Sequence, residues 1–358
     1  MSAINSQKQI YYWLFTCAFS IIIMVVIGGI TRLTDSGLSM TDWNFFSGII
    51  PPTNNDDWNS LFQSYKLYPE FKFINFDMTL DEFKKIFFWE YLHRVWGRII
   101  GLIFFIPFIY FMIKKTITKK LLYFLIPVSI LGCFQGFMGW YMVSSGLVHD
   151  PDVSQYRLAS HLGIAFILYC SLLFKGWDLF RQENGFKSSV RETSLSLTWL
   201  LICFSLVFLT ALSGAFVAGT NAGLAYNNFP YMGPSIFPPD AFTLQPLWKN
   251  FFENIGLIQF NHRVFASVTA FILIYFSIQQ LNYGNNLERK VLKLLVIFVS
   301  LQYLLGILVV ILYVPIPIGV LHQSGSLIIL SLLTVLISEC YTKKGVNKFT
   351  PLKVKNLN

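Results

Sequence analysis

The chain has 358 residues, 54% hydrophobic and 13% charged, with 36 phenylalanines and a net charge of +9. A soluble globular chain of this size carries about twice that charge, so the composition excludes a water-soluble enzyme and points to a polytopic membrane protein. The excess positive charge could suit nucleic acid, but its placement, described below, argues against that.

Apolar runs reach the roughly 20 residues needed to cross a bilayer. In chain order they predict helices over 11–31, 87–113, 120–143, 157–177, 194–218, 255–280, 290–313 and 317–340. The first run is too long for a signal-peptide core and has no small-residue cleavage site after it. The short N-terminus is not an Arg-rich transit peptide, which favours a bacterial inner membrane. Lys114, Lys115, Lys119 and Lys120 separate the second and third runs. Lys175, Arg181, Lys187 and Arg191 bracket the connection in mid-chain, and Arg289, Lys290 and Lys293 the next. Lys343, Lys344, Lys348, Lys353 and Lys355 fill the tail. These are alternate connections, so the positive-inside rule puts both termini in the cytoplasm. Basicity here reads as topology, with no nucleic-acid partner. Cys17, Cys133, Cys170, Cys203 and Cys340 all fall within apolar runs, where they read as small buried hydrophobes.

The chain also resembles itself. GGITRLTDSGL (28–38) and GAFVAGTNAGL (214–224) each carry two glycines nine apart and lead to a Pro-Pro pair, Pro51-Pro52 and Pro238-Pro239. LHRVWGR (92–98) matches NHRVFAS (261–267), and Gln135 and Gly139 recur as Gln302 and Gly306. SHLGI (160–164) then answers LHQSG (321–325). The expected fold is therefore all-α: eight transmembrane helices as two pseudo-symmetric four-helix bundles related by a parallel repeat. Its divisions are a short N-terminus (1–10), a first half (11–178), a linker (179–193), a second half (194–341) and a basic tail (342–358). A long outward loop, 32–86, sits in the first half only. Its Trp58, Phe62, Tyr65 and Phe71 are expected to pack on the outer face as a lid.

Four of the five histidines hold equivalent places: His93 and His161, then His262 and His322. Each is expected within the first two turns of an even-numbered helix, hence at similar depth. Polar groups at that depth are costly and usually functional. Four residues after each stands a small residue, Gly97, Ala165, Ala266 or Ser326, whereas the loop residue His149 has Val153 there. Clearance for a flat macrocycle explains this pattern, and so does close helix packing. Two imidazoles from neighbouring helices make bis-His haem ligation, pairing His93 with His161 and His262 with His322. Zinc and copper sites usually gather three or four ligands, and no second His or Cys lies one turn from any of these. Arg94 and Arg263, each following a histidine, suit haem propionates or lipid headgroups.

The halves differ at one position near the iron. Glu90 lies one turn before His93, whereas Gln259 stands at the matching place. A carboxylate there could move protons or stabilise a developing cation, or simply pair with Arg94 at i+4.

With these residues in view the chain resembles the heme A synthase family, in its alphaproteobacterial and mitochondrial branch. The resemblance runs through GGITRLTDSGLSMTDW (28–43), FSGIIPP (46–52) and PEFKFINFDMTLDEFKKIFFWEYLHRVWGR (69–98). It continues through FQGFMGWYMVSSGL (134–147), DVSQYRLASHL (152–162), NHR (261–263) and LHQ (321–323). It implies an oxidoreductase acting on a CH/CH3 group, converting the C8 methyl of heme O to the formyl of heme A for terminal oxidases. It further implies that His262 and His322 hold a heme b cofactor and that His93 and His161 hold the substrate heme. Glu90 then falls on the family's acidic catalytic residue. The implied partners are heme O, membrane lipid, heme O synthase and an electron donor, with room for a homo-oligomer. Some members carry a cysteine pair in the first outward loop, and 32–86 has none here. A bis-His electron-transfer cytochrome fed by quinol is the rival reading. It accounts for four histidines but not for Glu90 in one half against Gln259 at the matching place of the other. A transporter would need a broken helix pair at mid-membrane, which the runs do not contain.

Overall fold

In a computed structural model, residues 3–41, 48–146, 153–184 and 195–347 are described. His149, Lys187, Arg191, Lys348, Lys353 and Lys355 lie outside them. The described chain holds eleven α-helices: α1 (Ala3–Leu33), α2 (Asn55–Tyr65), α3 (Pro69–Phe73), α4 (Leu80–Ile113), α5 (Lys119–Gly146), α6 (Gln155–Glu183), α7 (Leu197–Gly219), α8 (Asn250–Glu253), α9 (Ile255–Gln280), α10 (Asn286–Ile311) and α11 (Ile316–Asn347). Eight of them, all but α2, α3 and α8, are long and apolar enough to cross a membrane. This is a multi-pass helical membrane protein.

The eight spans match the eight apolar runs, and their ends differ where polar residues extend a helix. α4 begins at Leu80, about two turns before its apolar run. Thr79 caps it: its hydroxyl accepts from the Glu82 N–H (3.4 Å), and Glu82 Oε2 accepts from the Thr79 N–H (2.9 Å). Asp81 and Glu82 in the first turn add favourable charge at the positive end of the helix dipole. His93 therefore lies deeper along its helix than the first two turns expected of it. The same device opens α10, where Asn285 and Glu288 exchange bonds of 2.8 and 2.9 Å. Pro107 and Pro127 sit inside α4 and α5 without ending them.

The extra turns of α4 have a packing partner. Phe83 and Phe87 bury themselves with Met40, Phe62 and Tyr65, and Trp58 and Phe71 close over the cluster. The long first connection thus forms a small core of its own against the start of α4. Tyr65 is fully buried there, and its hydroxyl accepts from Asn75 Nδ2 (2.8 Å).

α1, α6, α7 and α11 occupy the centre: α1 packs on α6 and α11, α7 on α6 and α11, and α6 on α11. Outside them α4 lies on α1 and α9 on α7, with α5 on α6 and α10 on α11. The contacts of the first half are thus repeated in the second, with one exception: α9 packs on α10, but α4 has no comparable contact with α5. Polar bonds cross between the halves at both ends. Arg32, closing α1, donates to Ala218 O (2.7 Å) and Asn221 Oδ1 (2.9 Å). Near the short-turn end Arg181 of α6 meets Glu339 of α11 (2.9 Å), and Trp177 Nε1 donates to the same carboxylate (3.0 Å). The repeat extends to the backbone. Asp35 and Asn221, equivalent in the repeat, both take left-handed conformations (φ 46° and 53°) where the chain leaves α1 and α7.

Candidate functional site

Each of the four histidines leans on a glycine of a neighbouring helix. A Cβ on Gly28 would stand 3.2 Å from His93 Nε2, and one on Gly139 3.2 Å from His161 Cε1. In the second half a Cβ on Gly214 would stand 3.1 Å from His262 Cε1, and one on Gly306 only 2.8 Å from His322 Cε1. Gly28 and Gly214 are equivalent in the repeat, as are Gly139 and Gly306. Four imidazoles therefore lie against bare backbone, which fixes the ring positions and leaves no neighbouring side chain between ring and helix. All four rings are half-buried rather than sealed in the core.

The structure brings the second-half pair together. His262 and His322 face each other with ring centres 6.4 Å apart and planes at 87°. Two metal–nitrogen bonds of about 2 Å, with half an imidazole ring beyond each, span roughly that distance. The second-half pair therefore fits one iron between its rings. Hydrogen bonds reach the His262 ring and the backbone of His161 and His322. Ser213 Oγ lies 2.8 Å from His262 Nδ1 and donates to Thr210 O (2.7 Å), so it is placed to accept from an Nδ1–H and leave Nε2 free as a ligand. Gln302 Nε2 donates to His322 O (2.7 Å). Its counterpart Gln135 donates to His161 O (3.0 Å) and lies 3.3 Å from His161 Nε2. Nδ1 of His161 and of His322 are buried without a hydrogen-bond partner.

Glu90 is 3% exposed and surrounded by donors. Its Oε2 accepts from Ser39 Oγ (2.7 Å) and the Met40 N–H (2.8 Å), and Oε1 from Arg94 Nη2 (2.5 Å). Arg94 also donates to Met40 O (2.9 Å). The second half repeats the arrangement without the charge. Gln259 Nε2 donates to Tyr226 O (2.9 Å), and Tyr226 is the repeat equivalent of Met40. Arg263 donates to the same carbonyl (2.8 Å) and to those of Asn228 (3.0 Å) and Tyr231 (3.1 Å). Tyr226 Oη donates to Asp240 Oδ1 (2.6 Å), which pushes the phenol up to about 12. In both halves, then, the residue one turn before the histidine and the arginine after it clamp the chain that leaves the preceding helix. The donors of Arg94 and Arg263 point at loop carbonyls and, in the first half, at Glu90.

Sequence reasoning placed the four histidines and the Glu90 asymmetry, and missed the glycines that seat the rings. Gly28, Gly139, Gly214 and Gly306 all lie in the repeated motifs, so the signal was present. The small residue four positions after the histidine drew attention instead. For Gly97 that neighbour is Met24 of α1, whose Cε would lie 3.3 Å from an added Cβ.

The match to known proteins decides the lineage. The family model COX15-CtaA, described as cytochrome oxidase assembly protein, covers residues 11–334. The chain belongs to the COX15-CtaA family. A heme A synthase of Nitrosospira multiformis is 44% identical over 90% of this chain and 91% of its own length. The heme A synthase COX15 of Homo sapiens is 43% identical over 91% of this chain and 81% of its own. One from Wolbachia pipientis is 37% identical over 94% and 93%. The match of the COX15-CtaA model spans both histidine pairs, their glycine seats and Glu90.

Proposed function

We propose that this chain is a heme A synthase, oxidising the C8 methyl of heme O to a formyl group in a bacterial inner membrane, with both termini in the cytoplasm. The observation that carries the reading is the pair of equivalent histidine sites with a carboxylate beside one alone. In this reading the chain forms two four-helix bundles (11–178 and 194–341). The second half holds a resident heme b through His262 and His322, and the first half holds the substrate heme through His93 and His161. When bound, heme b supplies one-electron redox chemistry at a potential set by its two imidazole ligands.

The protein's own residues do the rest. Ser213 holds the His262 ring, while Gln302 and Gln135 tie the main-chain carbonyls of His322 and His161, so the helix turns that carry these ligands are braced before a ligand arrives. The donors around Glu90, Arg94 among them, suit a carboxylate, whose charge then lies one turn from His93. Such a charge favours cationic character at a carbon undergoing oxidation, and Gln259 supplies none in the second half. The packed layer of α2 and α3 covers the long-loop end of α4 and restricts water there. Heme O synthase, as the source of the substrate, is a natural partner in the same membrane.

Co-expression with heme O synthase in a host lacking heme A tests the function. Heme A in the membrane extract is the expected product. Heme O and heme b alone, with the protein present and carrying heme b, would favour the electron-transfer cytochrome instead.

A further inference from the structure

The repeat of helix contacts breaks between α4 and α5. Residues 114–118 join them, yet they do not pack together as α9 and α10 do. In the second half Tyr303 fills this place, its hydroxyl 2.9 Å from Ser267 Oγ across the two helices. The register set by Gln135/Gln302 and Gly139/Gly306 puts Gly136 where Tyr303 stands, and Gly132 where the buried Val299 stands. The register of His93/His262 puts Gly101 opposite Ala270. A Cβ on Gly101, Gly132 or Gly136 would meet nothing within 4 Å. A groove that side chains close in one half is thus open in the other.

We infer that this groove takes the isoprenoid chain of heme O and leads it from the first-half histidines into the lipid; the inference rests on assigning substrate to that half. Three observations choose this occupant. The groove is continuous with the site, since Gln135, between Gly132 and Gly136, is the residue bonded to His161. Its outer wall is aromatic in this half only. Trp140, one turn after Gly136, lies 5.7 Å from Phe137, and both are exposed, with Leu304 and Ile307 in their places on α10. Flat rings suit an unsaturated chain, while aliphatic side chains already serve the lipid-facing surface elsewhere. Lastly, heme O and heme b share the macrocycle and the propionates. The long chain is what sets substrate apart from cofactor, and the open groove is what sets apart the helix packing of their two halves.

The test is absorbance titration of purified full-length protein with heme O and, separately, with heme b, which lacks the chain. Wild type is compared with Gly136→Tyr, which restores the second-half pattern, and Gly132→Val. Gly136→Tyr is expected to weaken heme O binding on the order of tenfold or more, with binding of heme b to the first half unchanged. Should Gly136→Tyr lose its second-half heme b, and so fail as a folded protein, Gly132→Val is read by the same criterion. Equal weakening of both hemes would overturn the inference, because the groove would then serve the macrocycle. Unchanged heme O affinity would also overturn it and make the groove an ordinary lipid-facing surface. Wild type that binds neither heme in the first half would instead refute the functional reading, so the two failures are distinct.

Discussion

Glu90 carries two duties that a single substitution separates. Its oxygens anchor Ser39 and Met40 and pair with Arg94, and its charge lies one turn from His93. Glu90→Gln keeps the shape and the side-chain type that already anchors the second half through Gln259. Heme content is expected to stay near wild type, with heme A lost and heme O or a partly oxidised alcohol accumulating in extracts. A carboxylate acting in acid–base or charge stabilisation is worth on the order of 10²–10⁴ in rate, well within reach of a pigment assay. Normal heme A from Glu90→Gln would leave it an anchor alone. The glycine seats are equally testable. A methyl on Gly306 would come 2.8 Å from His322, so the ring must move. Overpacking of this kind costs about 1–3 kcal/mol, and Gly306→Ala is expected to bind heme b roughly tenfold or more weakly. An unshifted heme b spectrum at full occupancy would show that the ring has room.

Among the elements, α4 shows what periodicity and composition could and could not reveal. Its membrane part was legible because 87–113 is apolar apart from Glu90, His93, Arg94 and Arg98, but its start was not, since residues 80–86 are polar in part and owe their helix to a cap and to packing. Phe83 is fully buried in the cluster of the first connection. Phe83→Ala should cost about 3–5 kcal/mol locally and expose the connection to proteolysis, read by limited digestion, while second-half heme b stays in place. The histidines were legible through the repeat. Their glycine seats were marked in the repeat, but that a ring lies on each depends on how close two helices come, and the clamp of Arg94 on Met40 depends on the path of a connection, neither of which one sequence states. The separation of α4 from α5 was hidden for the same reason. Only the register of the repeat, with Gly136 opposite Tyr303, carried a trace of it.

For the whole molecule, polar ties hold the halves together, and the Arg181–Glu339 ion pair among them is buried. Arg181 and Glu339 are 8% and 4% exposed at the side chain, on α6 and α11. Breaking a buried pair from one side typically costs about 3–5 kcal/mol because a charge is left without its partner. Glu339→Ala should therefore lower the thermal unfolding midpoint measured in detergent, and an unchanged midpoint would make the tie dispensable. The larger claim is that one fold, used twice, divides resident cofactor from substrate. Heme typing of purified His322→Ala and His161→Ala proteins, each co-expressed with heme O synthase, tests this most directly. His322→Ala is expected to lose heme b, whereas His161→Ala keeps it and yields no heme A. Heme b retained by His322→Ala and lost from His161→Ala would contradict the division.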